Sequence, residues 1–391
     1  MIKVGGVYKS IDGEKIKIAC DFYSDGNKQT LWFETASEFE DYISTETCNP
    51  FFIILFLIAF HNQVDIEFET PVSKRLYYGL TKYLQEIYLQ DQDKLKRINV
   101  KCELVTTRYE SNGIATAMSL GVDSFYSLLE KNNSFDEITH LALFNAGAFG
   151  QYEGEISRRY FNVMKNIVQD LSDELSLPLL WVDTNFNEIL NIPFGVTCIY
   201  RNIACALLFE KKIGVYYYSN AVPFQEMQVF CDSPEDQELV LSYGLSTESL
   251  EVRMSGLFKN RVEKTNAITD FDITKKYLNV CIVTSEYENV NETGGTIENC
   301  SKCFKCRRTM VTLDILGELS NYKNVFDLNH YNENRNRYLA ETLYHFYRSR
   351  EVFSAEIMSL IREKKFTIPL KVYYYLFIRG LQPVLKFAKL K

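Results

Sequence analysis

The sequence predicts an α/β protein built on a largely parallel sheet, and three features predict it. From Val100 onward, short apolar runs alternate with helical stretches at strand–helix–strand spacing. The strand ends carry small or polar residues, as at Asn145-Ala146-Gly147, Asp183 and Ser219-Asn220, and ligands of such sheets bind at the carboxyl ends of the strands. The third feature is the stretch Ile114–Glu130, IATAMSLGVDSFYSLLE. There an apolar strand passes through a turn holding Ser119, Gly121, Asp123 and Ser124 into a helix. Such a turn gathers backbone N–H groups at a helix N-terminus and so suits a phosphate.

The 391 residues are enough for two or three domains. A net charge of −8 argues against general nucleic-acid binding. The charged, alternating N-terminus does not read as a signal peptide. Phe51–Phe60, the longest apolar run, is half the roughly 20 residues of a membrane span, so it is expected as a buried helix. Ten cysteines without an export signal suggest reduced thiols, a local metal site and a cytoplasmic location.

The elements are expected as follows. Residues 1–35 form antiparallel strands separated by Asp-Gly turns. A short helix begins at Ser37–Ile43, an apolar helix covers Pro50–His61, a strand Val64–Phe68, and a helix entered through Ser73 runs to Leu89. Then come strands Lys101–Thr107 and Ile114–Ser119, helix Ser124–Glu130, strand Ile138–Asn145, helix Ile156–Leu175 and strand Leu179–Asp183. Helix Arg201–Lys211 and strand Ile213–Ser219 follow. Residues 223–262 read as irregular and include the acidic stretch Asp232–Asp236; residues 263–280 read as a helix and a strand, and Val311–Leu319 as a helix. The tail from Asn332 is mostly helical. Its last segment carries Lys371, Arg379, Lys386, Lys389 and Lys391 with no acidic residue, which suits either a solvated amphipathic helix or contact with an acidic surface or membrane. The domain division expected is 1–110, an α+β domain; 111–320, the nucleotide domain with its metal segment; and 321–391, a helical extension.

Asn299-Cys300-Ser-Lys-Cys303-Phe-Lys-Cys306 places three thiols at C-x2-C-x2-C spacing. Two-residue gaps let a tight turn aim thiolates at one tetrahedral ion, and Lys302, Lys305 and Arg307 favour their ionisation. Structural zinc needs a fourth ligand, for which Cys281, at the end of the expected preceding strand, is the best candidate. Iron–sulfur ligation has the same donor set. The remaining cysteines read as core.

Together these features resemble the PP-loop family of ATP pyrophosphatases, and within it the 7-cyano-7-deazaguanine synthase branch. The family signature S-G-G-x-D-S stands here as Ser119-Leu120-Gly121-Val122-Asp123-Ser124. The branch's Arg-Asn pair opening a later helix is matched by Arg201-Asn202, and its zinc site by Cys281, Cys300, Cys303 and Cys306. The resemblance covers about residues 113–312. It implies a doubly wound, HUP-like adenine-nucleotide fold in which ATP is split to AMP and pyrophosphate as a carboxyl or carbonyl oxygen of the substrate is adenylated. It further implies ATP, Mg2+ and Zn2+ as cofactors. Ser119, Ser124 and the amides of 120–124 would hold pyrophosphate, Asp123 would face magnesium, the backbone at Ala142–Asn145 would hold adenine, and Arg201 would neutralise a phosphate or carboxylate. Leu120 replaces the first of the signature's two glycines, and the branch's Y-P-D element is replaced by Ser219-Asn220-Ala-Val-Pro-Phe-Gln-Glu226. The expectation is therefore a specialised relative in a modification, surface-polymer or defence pathway. Its substrate would be a small-molecule or peptide carboxylate, with a homodimer admissible. A nucleotide-binding scaffold with a degenerate loop and a sulfur-transfer relative are the alternatives.

Overall fold

Two Asp-Gly turns and strong period-2 alternation make the first 36 residues a meander of β1 (Ile2–Asp12), β2 (Lys15–Ser24) and β3 (Asn27–Ala36). The computed structural model describes residues 1–91, 95–130, 137–147, 154–227, 238–282 and 298–388. The acidic stretch Asp232–Asp236, Cys231, Lys389 and Lys391 lie outside them. The chain divides into two compact units. Described residues of the first fall within 1–119 and 130–257, and those of the second within 120–129, 258–282 and 298–388.

The first unit holds all twelve strands found among the described residues. After the meander come β4 (Ile66–Phe68), β5 (Val72–Ser73), β6 (Val100–Lys101), β7 (Leu104–Val105), β8 (Gly113–Ala117), β9 (His140–Asn145), β10 (Leu179–Thr184), β11 (Ile213–Ser219) and β12 (Glu251–Ser255). Ten of them form one sheet in the order β12-β11-β8-β9-β10-β3-β2-β1-β4-β6, and β5 pairs β7 separately. The five strands β8 to β12 are mutually parallel where they pair. At β10 the direction changes: β3 pairs it antiparallel, with Glu34 opposite Asp183. The expected break near residue 110 therefore separates no sheet, because the N-terminal meander extends the parallel strands directly. β12 falls within 223–262, expected to be irregular, and Lys101–Thr107 yields only the two short strands β6 and β7.

Helix α1 (Asn49–His61) is apolar around its whole circumference, and its residues 49–60 are all buried. That is the expected helix, and no helix among the described residues is long and apolar enough to cross a membrane. Each buried Phe, Leu or Ile contributes about 1.5–3 kcal/mol relative to exposure. Aromatic edges lock the helix in place, with Phe33 at 5.0 Å from Phe51 and Phe68 at 5.1 Å from Phe52, centroid to centroid. The helix begun at α2 (Lys74–Tyr78) is capped by the Ser73 hydroxyl, which accepts from Leu76 N–H at 3.0 Å, and it continues through a π-turn into α3 (Gln85–Asp91). Helices α5 (Gly154–Leu175), α6 (Phe186–Ile189), α7 (Phe194–Leu207) and α8 (Glu238–Gly244) complete this unit.

One buried carboxylate ties three of its segments together. Glu210 accepts from Asn49 Nδ2 at 2.7 Å, Thr247 Oγ1 at 2.9 Å and Thr47 Oγ1 at 3.3 Å. Burial outweighs those bonds and pushes its pKa up to about 7. A carboxyl whose folded pKa lies above its unfolded value keeps a proton on folding, so its contribution is full below about pH 4 and is lost as pH rises toward 7.

The second unit contains α4 (Val122–Leu129), α9 (Arg261–Ile268), α10 (Asp272–Tyr277), α11 (Phe304–Leu316), α12 (Leu328–Ser349), α13 (Val352–Glu363) and α14 (Leu370–Ala388). The strand expected near residue 280 is absent among the described residues, and Cys281 sits in irregular chain. The α11 helix starts earlier than expected because Cys303 caps it.

Wild type and Glu210→Ala compared by thermal unfolding across pH should differ more at pH 5 than at pH 8. The change in that difference should be about 3 kcal/mol at most, the linkage value of the shift. A difference independent of pH would show that Glu210 titrates normally.

Candidate loop and metal centre

The turn after β8 is organised by Leu120, whose φ is +61°. A left-handed conformation costs a non-glycine residue roughly 1–2 kcal/mol. The Leu120 side chain is 1% exposed, and burying it returns about 2 kcal/mol. Leucine in place of the glycine thus strains the turn, and its burial offsets that strain. The Leu120 carbonyl accepts from Asn279 N–H at 2.8 Å. α4 then starts at Val122. The Ser124 hydroxyl and the Phe125 N–H both donate to the Gly121 carbonyl, at 3.0 Å each.

Asp123, expected to face magnesium, is held by two cations on α9. Arg261 Nη2 lies 2.7 Å from one carboxylate oxygen and Lys264 Nζ 3.4 Å from the other. The Lys264 side chain is 1% exposed. α9 is rigid at its start because Asn260 and Glu263 form a reciprocal capping box. Arg261 and Lys264 escaped the sequence reading. Their signal is three-residue spacing on one face directly behind an Asn-x-x-Glu cap.

Arg201 occupies a different setting from the one expected. It lies inside α7, which starts at Phe194 after Pro193 instead of at Arg201, and is 2% exposed. Its guanidinium donates to Thr197 Oγ1 at 2.7 Å, Asn187 Oδ1 at 2.6 Å, and the carbonyls of Ile192 at 2.8 Å and Ala146 at 3.3 Å. All four acceptors are neutral, and burial lowers its pKa to about 10. Gly147 has φ +106°, and a Cβ there would come within 2.8 Å of Arg201 Nη1. Asn202 donates to its own helix at Cys198 O, 2.8 Å away. Asn145 is consumed internally, donating to Asp183 Oδ1 at 2.7 Å and accepting from Ser157 Oγ at 2.9 Å. Burial raises the Asp183 pKa even though Asn145 and Arg158 oppose it.

The four expected thiols converge. The sulfurs of Cys281, Cys300, Cys303 and Cys306 all lie within 4.8 Å of one another. Cys300 and Cys306 sulfurs are 3.9 Å apart, close to the roughly 3.8 Å edge of a tetrahedron with 2.3 Å metal–sulfur bonds. Backbone N–H groups are aimed at the sulfurs, from Cys303 to Cys300 at 3.1 Å and from Cys306 to Cys303 at 3.5 Å. Ser301 takes φ +56° to make this turn. Asn299 pins the two chain segments, accepting from Val280 N–H at 2.8 Å and donating to Leu278 and Val325 carbonyls at 2.9 Å each. Bonds with Cys281 and then Cys306 hold Cys303 well below the usual thiol range, while bonds with Cys281 and Cys303 push Cys306 well above it. This donor set can hold a metal ion such as zinc, with the N–H groups as supporting donors.

Protein isolated without chelator should carry about one equivalent of zinc, and Cys306→Ser should lose it together with much of the second unit's thermal stability, since structural metal binding is coupled to folding. Elemental analysis and calorimetric melting would check this, and an unchanged melting profile after metal removal would refute it. Comparisons with protein-family models, with curated proteins and with solved structures yield no match, so function is argued from these geometries.

Proposed function

We propose that the chain is an adenylate-forming enzyme that splits ATP to AMP and pyrophosphate while activating a carboxylate, similar in chemistry to 7-cyano-7-deazaguanine synthase. The observation that carries the reading is the left-handed Leu120. The loop Ser119–Ser124 keeps a glycine-type backbone turn although it has lost the glycine. The order of the parallel strands adds support. Read from β10, it is β10-β9-β8-β11-β12, or third, second, first, fourth, fifth in chain order. That is the order of doubly wound nucleotide folds, whose ligands sit where the order reverses beside the first strand, and β8 is the strand that leads into the loop.

In this reading the substrate carboxylate oxygen attacks the α-phosphorus. The bond from that phosphorus to the bridging oxygen breaks, and the electron pair leaves on pyrophosphate. The loop amides, Ser119 and Ser124 would hold the leaving group, and Lys264 and Arg261 would neutralise its charge. Magnesium bound through Asp123 would shield the same charge. Arg201, Asn202 and Asn145 would support the adenine-side backbone from within, since their own hydrogen bonds are made inside the chain.

Asp123 favours a second reading. Its carboxylate is engaged by Arg261 and Lys264, as suits a nucleotide-binding scaffold without turnover. Sulfur transfer is the third alternative, and a metal held by all four clustered thiols would leave none of them as a carrier. Incubation with ATP, magnesium and a broad panel of acids should release AMP and pyrophosphate in equal amounts, with Asp123→Asn reducing the rate at least tenfold. No AMP across the panel would reject the enzyme reading, and activity gained only in Leu120→Gly would establish the scaffold one.

A further inference from the structure

α11, α12 and α13 enclose a cavity of about 240 Å³ within the second unit. Arg307, Arg308, Tyr338, His345 and Ser354 contribute to its wall. No residue of the 119–124 loop does.

Its charges are unevenly satisfied. Glu341 is shared by two arginines, Arg307 and Arg379, the latter at 2.8 Å, with His345 Nε2 a further 3.8 Å away. Glu351 is committed to capping α13, accepting from Ser354 N–H at 2.7 Å. The Arg308 carbonyl accepts from Thr312 Oγ1 at 2.9 Å, but its side chain forms no hydrogen bond or ion pair among the described residues. Its guanidinium carbon lies over the Phe353 ring, 3.8 Å from the centroid, and its buried Nε has no partner. The Nε of Arg307 is likewise buried and unpartnered. Burial and then the nearby Arg261 pull the Arg308 pKa down to about 10, against the opposing charges of Glu351, Asp123 and Glu356.

A guanidinium drawn partly out of water without a hydrogen-bonding partner is costly, and planar forks are matched by oxyanions. Contact with Phe353 restrains the Arg308 guanidinium and leaves its N–H donors for a ligand. We propose that this cavity binds a small ligand through an oxyanion group, phosphate or carboxylate, with Arg308 as the principal contact and Arg307 as the second. The volume suits a small molecule. The proposal is independent of the adenylation reading.

The test is calorimetric titration of the full-length protein, in a buffer free of both anions, with inorganic phosphate and separately with acetate. Saturable binding of either anion is expected, weakened at least tenfold in Arg308→Gln. Binding of phosphate alone or acetate alone would name the group. Arg308→Lys, which keeps the charge without the fork, should also bind more weakly and covers the case in which Arg308→Gln fails to fold. Absence of saturable binding to wild type, equal affinity in both Arg308 variants, or loss in Ser124→Ala with retention in Arg308→Gln would each overturn the proposal. The last result would place the anion at the loop and so leave the adenylation reading standing.

Discussion

The site depends on one backbone conformation, Leu120 at φ +61°. β8 is only five residues long and is paired on both sides, by β9 and β11. The chain must leave it and enter α4 with Leu120 and Gly121 as the only intervening residues after Ser119. A left-handed residue makes so abrupt a change of direction possible. Glycine would do this without steric cost, whereas leucine does it because its side chain is almost fully enclosed. The substitution thus exchanges conformational freedom for packing, and the loop becomes an outcome of tertiary structure more than of local sequence.

Electrostatics follow the same logic. Asp123 and the α9 cations neutralise one another, Arg201 is dissolved among neutral acceptors, and Glu341 serves two arginines. Each charge is compensated by atoms distant in sequence. Arg308 rests on an aromatic face, and Glu351, Asp123 and Glu356 act on its charge without bonding to it. The thiol cluster is a second local constraint. With Asn299 it brings residues 278–281 against the start of α11, so that one metal ion would close a loop of about two dozen residues.

Much of this was legible in the sequence. Two-residue cysteine gaps impose their turn locally, and Cys281 was found as the fourth donor even though the strand expected to carry it is irregular chain. The apolar α1 and the alternating meander declare themselves by composition and period. What was missed is non-local. The antiparallel seam of β3 with β10 joins residues about 150 apart, and no local pattern announces it. β12 lies at the sheet edge and carries Glu251 and Arg253, the charged alternation that protects edges and reads as loop. α7 was begun seven residues late because Pro193, a start signal, was passed over in favour of the Arg201-Asn202 pair. The partners of Asp123 lie some 140 residues downstream, beyond any motif.

Whether burial sustains a glycine-type turn at Leu120 is measured most directly by the stabilities of Leu120→Ala and Leu120→Gly. Both remove the packed side chain, and only glycine also removes the left-handed penalty. The account predicts that Leu120→Gly is the more stable of the two by about 1 kcal/mol, the reverse of the usual order in regular structure. Leu120→Ala equal to or more stable than Leu120→Gly would contradict it.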